Sequence, residues 1–206
     1  MSLLQDIECF NHSRLKSTET HVTFPSGLQT IEGKDSDGRP KVHVLSSTGS
    51  GFVRDLQPDL NSGTVLPGLI LGSQDVALDY DELQKLKVTH ILNVASSVDN
   101  AFPKKFTYKR IPILDLPNTN ISEHFVDAIQ FIDKARSKGG SVLVHCNAGV
   151  SRSATIVIAY LMKIERLSYD DAYDLARSAR ECIRPNDGFV QQLRTYERYL
   201  AVKIDR

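Results

Sequence analysis

The chain is poor in cysteine. Three occur in 206 residues, Cys9, Cys146 and Cys182, and no two stand as C-x-x-C. An odd, sparse count excludes a disulfide framework, and the missing C-x-x-C pairs speak against a structural zinc site. A reducing compartment is therefore expected, the cytoplasm with the nucleus allowed. Excess charge of one sign is missing too, since 25 Lys and Arg balance 25 Asp and Glu. That argues against a nucleic-acid coat and against a polybasic membrane patch, so neither nucleic acid nor membrane is an expected partner. No apolar run nears the ~18 residues of a membrane span. The opening MSLLQDIECF has acids but neither a basic n-region nor an apolar core, so no secretory signal is read there. Ser2 stands where myristoylation needs glycine. Internal repeats and low-complexity tracts are absent. What remains, 41% hydrophobic and 24% charged, is the make-up of an ordinary globular protein.

Two regions differ in texture. Residues 1–62 are broken by PSG, KDSDGRP, SSTGSG and QPDLNSG, all turn or loop signals. This part reads as a loosely structured extension that docks on the domain or stays mobile. Within it His21 to Phe24 and Leu28 to Ile31 are candidates for a hairpin across Pro25-Ser26-Gly27. Leu3, Leu4, Ile7 and Phe10 are spaced for one face of a short helix. Residues 63–206 alternate strand and helix patterns. TVLPGLILG, VTHILNV, FTYKRIPIL and SVLVH read as strands. Helices are expected at DYDELQKLK, from Ile121 to Ser137, from Ser151 to about Glu165, from Ser168 and from Asn186 onward. Asn120 with Glu123, and Ser168 with Asp171, resemble capping boxes. The alternation implies an α/β fold, a single domain with a central sheet flanked by helices on both faces.

The densest signal is VHCNAGVSRSA, residues 144 to 154, between an apolar strand and the apolar helix TIVIAYLM. A helix start leaves N–H groups unpaired and carries positive partial charge. The small residues Asn147, Ala148, Gly149, Val150 and Ser151 let successive N–H groups turn inward as a nest. Arg152 adds a planar fork that fits two phosphate oxygens. Cys146 at the mouth of this loop feels the same field, which favours its thiolate as a nucleophile toward a bound phosphate. Ser153 can donate its hydroxyl to the sulfur. A lone cysteine after a strand is more often a small core residue, but the whole context favours catalysis.

A leaving oxygen needs a proton and an attacking water must lose one; a single carboxyl group can do both. Asp115, at a strand end before a Pro/Asn-rich loop, is the candidate. Asp99 lacks the strand-end position, and Glu123 is better explained as a helix cap. His145 is read as structural, with room to tune the loop. Asn186 is read as a helix cap that can also brace the cysteine loop. Arg180 is read as a solvated helix-end cation, with contact to a second phosphate or an acidic substrate as the alternative. Cys9 and Cys182 get the plain reading, Cys182 with a redox role only if it lies close to Cys146.

The loop VHCNAGVSRSAT, the upstream Asp115 and the downstream RPNDGF together resemble the dual-specificity phosphatases of the cysteine-dependent protein tyrosine phosphatase superfamily. The resemblance covers about residues 64 to 202, and LILGSQDVA, VTHILNV and RIPILDLP share it. It implies a mostly parallel sheet, a cysteinyl-phosphate intermediate, and Cys146, Arg152, Asp115 and Ser153 as nucleophile, phosphate ligand, acid/base and thiolate helper. It also implies phosphoprotein substrates and no metal or organic cofactor. Residues 1–62 hold six Lys and Arg against eight Asp and Glu, too short and too little basic for a rhodanese-like docking domain, so the atypical branch is the nearer match. MAP kinase pathway kinases, of the stress-activated (JNK) branch in particular, are the expected partners. The rival reading is a scaffold or phospho-reader of a kinase cascade.

Overall fold

The computed structural model describes residues 20–23, 29–34, 40–46 and 58–204. The chain divides into two units, Met1–Gln57 and Pro58–Arg206. In the first, strands β1 (Thr20–Thr23), β2 (Gln29–Lys34) and β3 (Pro40–Ser46) pair antiparallel in the order β1-β2-β3. Thr23 lies opposite Gln29, so the strands expected on either side of Pro25-Ser26-Gly27 do pair. The helix expected around Leu3 to Phe10 lies outside the described residues.

The second unit is built on a five-stranded sheet. A tight hairpin joins β4 (Gly63–Leu66) to β5 (Leu69–Gly72), with Gly68 at φ 76 in the turn. Glycine alone takes that angle without strain. Two short helices follow, α1 (Gln74–Leu78) and α2 (Tyr80–Lys85), started by Ser73 and Asp79 side chains that accept N–H bonds of the first turn. Helix α1 has only five residues, too few for a helical period to show in sequence. Strands β6 (His90–Ala95) and β7 (Thr107–Ile113) then precede α3 (Phe125–Arg136), β8 (Val142–His145), α4 (Arg152–Ile164), α5 (Tyr169–Ala179) and α6 (Asp187–Ile204). Sheet order is β4-β5-β8-β6-β7, and only β4 runs antiparallel to its neighbour.

Both faces are covered because side chains alternate along each strand. Leu69, Leu71, Leu92, Val94, Val142 and Val144 enter the larger core with α3 to α6. Ile70, Ile91 and Leu143 enter a smaller core with Val76, Ala77 and Leu83 of α1 and α2. Helix α4 is buried without interruption from Arg152 to Met162, as its all-round apolar sequence requires.

Two start signals fared differently. Ser168 Oγ accepts the Asp171 N–H at 3.1 Å, so that cap forms as read. The box at Asn120 and Glu123 does not form. Asn120 instead donates to Glu123 Oε2 at 3.3 Å, and a single turn of 3-10 helix, Ser122–His124, precedes α3. Gln192 of α6 takes the capping role, accepting from Ser122 N–H at 3.0 Å and donating to Thr119 O at 2.8 Å. A long-range partner displaced the local one.

Candidate active site

Strand β8 is the last strand made but sits in the middle of the sheet, between β5 and β6. The chain therefore reverses direction across the sheet there. Beyond the carboxyl ends of parallel strands, such a switch point leaves a crevice. Cys146 leaves the end of β8, Ser73 the end of β5, and Asp115 lies two residues past the end of β7.

The loop from Cys146 to Ser151 is held by its carbonyls. Cys146 O faces His145 Nδ1 at 3.1 Å. Asn147 O accepts from Gln74 N–H at 2.8 Å, and Val150 O from Arg184 N–H at 2.8 Å. Ala148 O accepts from Arg180 Nη2 at 2.8 Å and Gly149 O from Arg180 Nε at 3.1 Å. Ser151 O takes the Thr155 N–H and hydroxyl at 2.9 and 2.8 Å. In a planar trans peptide the next N–H points opposite to the carbonyl. With the carbonyls tied outward, the N–H groups of Ala148, Gly149, Val150 and Ser151 are turned to the other side, where they form a concave donor set. Gly149 is at φ 69, and a Cβ there would meet the Gly72 carbonyl and approach Ser73 N to 2.9 Å. Helix α4 starts at the loop's end without a side-chain cap, because Ser151 uses its hydroxyl elsewhere. An uncapped helix start beside a nest is suited to a tetrahedral dianion.

Four side chains complete the site. Cys146 is buried, its Sγ 3.3 Å from Ser153 Oγ. Arg152 donates through Nη1 to Ile113 O at 3.0 Å and through Nη2 to Asn147 Oδ1 at 2.8 Å. Its Nε, buried and without a hydrogen-bond partner, lies 3.5 Å from Asp115 Oδ2. Asp115 Oδ1 accepts from Ser151 Oγ at 2.7 Å and from Asn186 Nδ2 at 2.9 Å. The structure thus brings Cys146, Arg152, Asp115 and Ser153 to one place.

The three supporting residues fall out as follows. Asn186 does both things read for it. Its Oδ1 caps α6 at Phe189 N–H (3.0 Å), its Nδ2 holds Asp115, and its N–H donates to Ser151 Oγ at 3.2 Å. His145 is buried, and burial pushes its pKa down to about 4, with the hydrogen bond to Cys146 O opposing the shift. Its Nδ1 must carry the proton, since a carbonyl only accepts. Arg180 is neither a solvated cation nor free for a second phosphate. It is 5% exposed and fully engaged beneath the loop, so both sequence readings of it are corrected. Sequence reasoning missed the Asn147 side chain, which bridges Arg152 to Ser97 Oγ at 3.3 Å, and the Ser151 hydroxyl on Asp115. No spacing rule marks either. The basic segment KKFTYKR, residues 104 to 110, is partly neutralised, Lys109 by Asp127 and Arg110 by Asp99, at 2.6 and 3.2 Å. Among the described residues no group of three His, Cys, Asp or Glu is placed to hold a metal ion, and no helix is long and apolar enough to cross a membrane.

Residues 69–199 match the family model of the dual specificity phosphatase catalytic domain. Mouse dual specificity protein phosphatase 19 is 48% identical over 201 residues, which is 95% of this chain and 90% of that one. Human dual specificity protein phosphatase 6 is 37% identical over 199 residues, 84% of this chain and 52% of that one. Among solved structures, the human tyrosine phosphatase-like serine/threonine/tyrosine-interacting protein shares 40% identity at a TM-score of 0.64, covering 68% of this chain and 97% of that one. The chain belongs to the dual specificity protein phosphatases, hydrolases that act on phosphoproteins.

Proposed function

We propose that Cys146, Arg152, Asp115 and Ser153 carry out the hydrolysis, on phosphotyrosine and phosphoserine or phosphothreonine alike. One observation carries the assignment. Arg152 Nε is the one buried side-chain polar atom without a hydrogen-bond partner among the described residues, and it stands at the start of the helix that follows the Cys146 loop. An unpaired buried N–H costs about 1–3 kcal/mol, a cost that a phosphate oxygen removes.

The phosphoryl group sits in the loop with its leaving oxygen toward Asp115. The Cys146 thiolate attacks phosphorus in line, the P–O bond breaks, and Asp115 as the acid gives its proton to the leaving oxygen. The product is a cysteinyl-phosphate. Asp115, now a carboxylate, takes a proton from water, which attacks phosphorus. The S–P bond breaks, the Ser153 hydroxyl donates to the departing thiolate, and inorganic phosphate leaves.

Residues 147–151 carry no charge, so a second inositol phosphate has no obvious partner beside the cysteine, which supports a phosphoprotein substrate. We assign the substrates to the MAP kinase cascades, the stress-activated branch first, and the protein to the cytoplasm or nucleus, in keeping with its sparse cysteines. Residues 1–62 are proposed as the extension and 63–206 as the catalytic domain. The test is hydrolysis of an aryl phosphate across pH, under reducing conditions, with vanadate as inhibitor. Wild type should turn over and be inhibited, and Cys146→Ser should fall to background. Vanadate binding without turnover would make the protein a phospho-reader. Doubly phosphorylated kinase activation-loop peptides then test the pathway.

A further inference from the structure

We propose that the segment just before β4 sets the aim of the phosphate loop, with Asp59 and Asn61 holding Arg180 and Arg180 holding the carbonyls of Ala148 and Gly149. This rests on the reading of residues 146–152 as the phosphate loop. The Arg180 guanidinium spans two structures. On one side, Nε and Nη2 donate to Gly149 O and Ala148 O. On the other, Nη1 donates to Asn61 O and Nη2 to Asp59 Oδ2. Its side chain is 3% exposed, and a cation buried that far needs a countercharge. Asp59 supplies it.

Asp59 is itself pinned. Ser73 Oγ donates to Asp59 O at 2.7 Å, and Asp59 N–H donates to Asp75 Oδ2 at 3.0 Å. Burial works against the Asp59 charge, but the Arg180 hydrogen bond and charge, with help from Asn61, outweigh it and hold the carboxyl below its ordinary value. The Gly149 and Val150 N–H groups share peptide planes with the two carbonyls that Arg180 grips. A rotation of either plane would turn a phosphate donor away. Arg180 and Asp59 are therefore positioning residues, since neither faces the phosphate. The contact joins residues 121 apart in sequence, and no local motif announces it.

The experiment uses the full chain with Asp59→Ala, Asp59→Glu and Arg180→Lys. The readouts are kcat and KM for an aryl phosphate, inhibition by inorganic vanadate, and the unfolding midpoint. Asp59→Ala should raise the inhibitory vanadate concentration and lower kcat/KM by about 10-fold, the scale on which small misplacements act. Asp59→Glu should recover most of both, and Arg180→Lys should resemble Asp59→Ala. A merely structural role would lower the folded fraction, so kcat would drop while KM and vanadate inhibition stayed at wild-type values. That result overturns the proposal. If wild type binds vanadate without turnover, the phosphatase reading falls and vanadate affinity still decides this one. A wild type that binds no vanadate overturns both.

Discussion

The two halves of the site are built in different ways. The cysteine loop is fixed through its backbone carbonyls, each held by a partner on β8, α1, α4 or the segment before α6, the side chains of His145, Thr155 and Arg180 among them. The acid half is set by side chains. Asp115 is held by one hydroxyl and one amide, its side chain is 34% exposed, and its neighbours Leu114 and Leu116 are 55% and 49% exposed. A phosphate cradle must keep several N–H groups at fixed angles at once, which only an over-determined backbone does. In the proposed mechanism the acid first protonates a leaving group and then activates water, so it has to serve two positions. A light tether suits that.

This difference ranks the substitutions. Gly149→Ala attacks the rigid half, forcing a Cβ against the Gly72 and Ser73 backbone at a φ of 69. It should cost stability by about 3 kcal/mol or more and abolish vanadate binding, read by denaturant unfolding and inhibition together. Asp115→Asn attacks the light half. It should lower kcat by about 10²- to 10³-fold, remove one limb of the pH–rate profile, and leave the unfolding midpoint within a few degrees. A large loss of stability in that variant would mean that the acid is structural and that the comparison fails.

The third prediction concerns the histidine beneath the loop. His145 is neutral when folded at pH values where the unfolded chain is protonated, because its pKa is pushed from 6.5 to about 4. Between those values the unfolded state binds the extra proton, so stability falls as pH drops, by about 3 kcal/mol at the foot of the window. His145→Gln should flatten this acid limb in thermal melts across pH. The smallest effect is expected from Asn186→Ala. It removes a helix cap worth about 1 kcal/mol and one of two hydrogen bonds on Asp115, so kcat should fall by about 10-fold with KM little changed.

The same contrast governs what could be read from sequence. The cysteine loop was legible because strand, small residues, arginine and apolar helix are contiguous, so local chemistry dictates the geometry. The sheet was legible for a related reason, since β6 and β8 carry apolar runs that only a covered sheet accommodates. Asp115 was legible by position, at a strand end before a loop rich in turn residues. Its tether was not, because Ser151 and Asn186 lie 36 and 71 residues away. Arg180 was misread for the same reason, since an arginine after a helix looks solvated unless its carboxylate partner far upstream is known. Gln192 displaced the box at Asn120 by a contact spanning 70 residues. Local rules singled out Cys146, Arg152, Asp115 and Ser153, which the fold gathers in one place, and missed the long-range side chains tied to them.

The most direct test of the account is to look for the covalent intermediate. Wild type and Asp115→Asn would be mixed with an aryl phosphate, quenched rapidly and digested, and the peptide carrying Cys146 weighed by mass spectrometry. The account predicts phosphate on Cys146, with more of it in Asp115→Asn because water is no longer activated. Turnover by wild type with the Cys146 peptide unmodified in both proteins would contradict it.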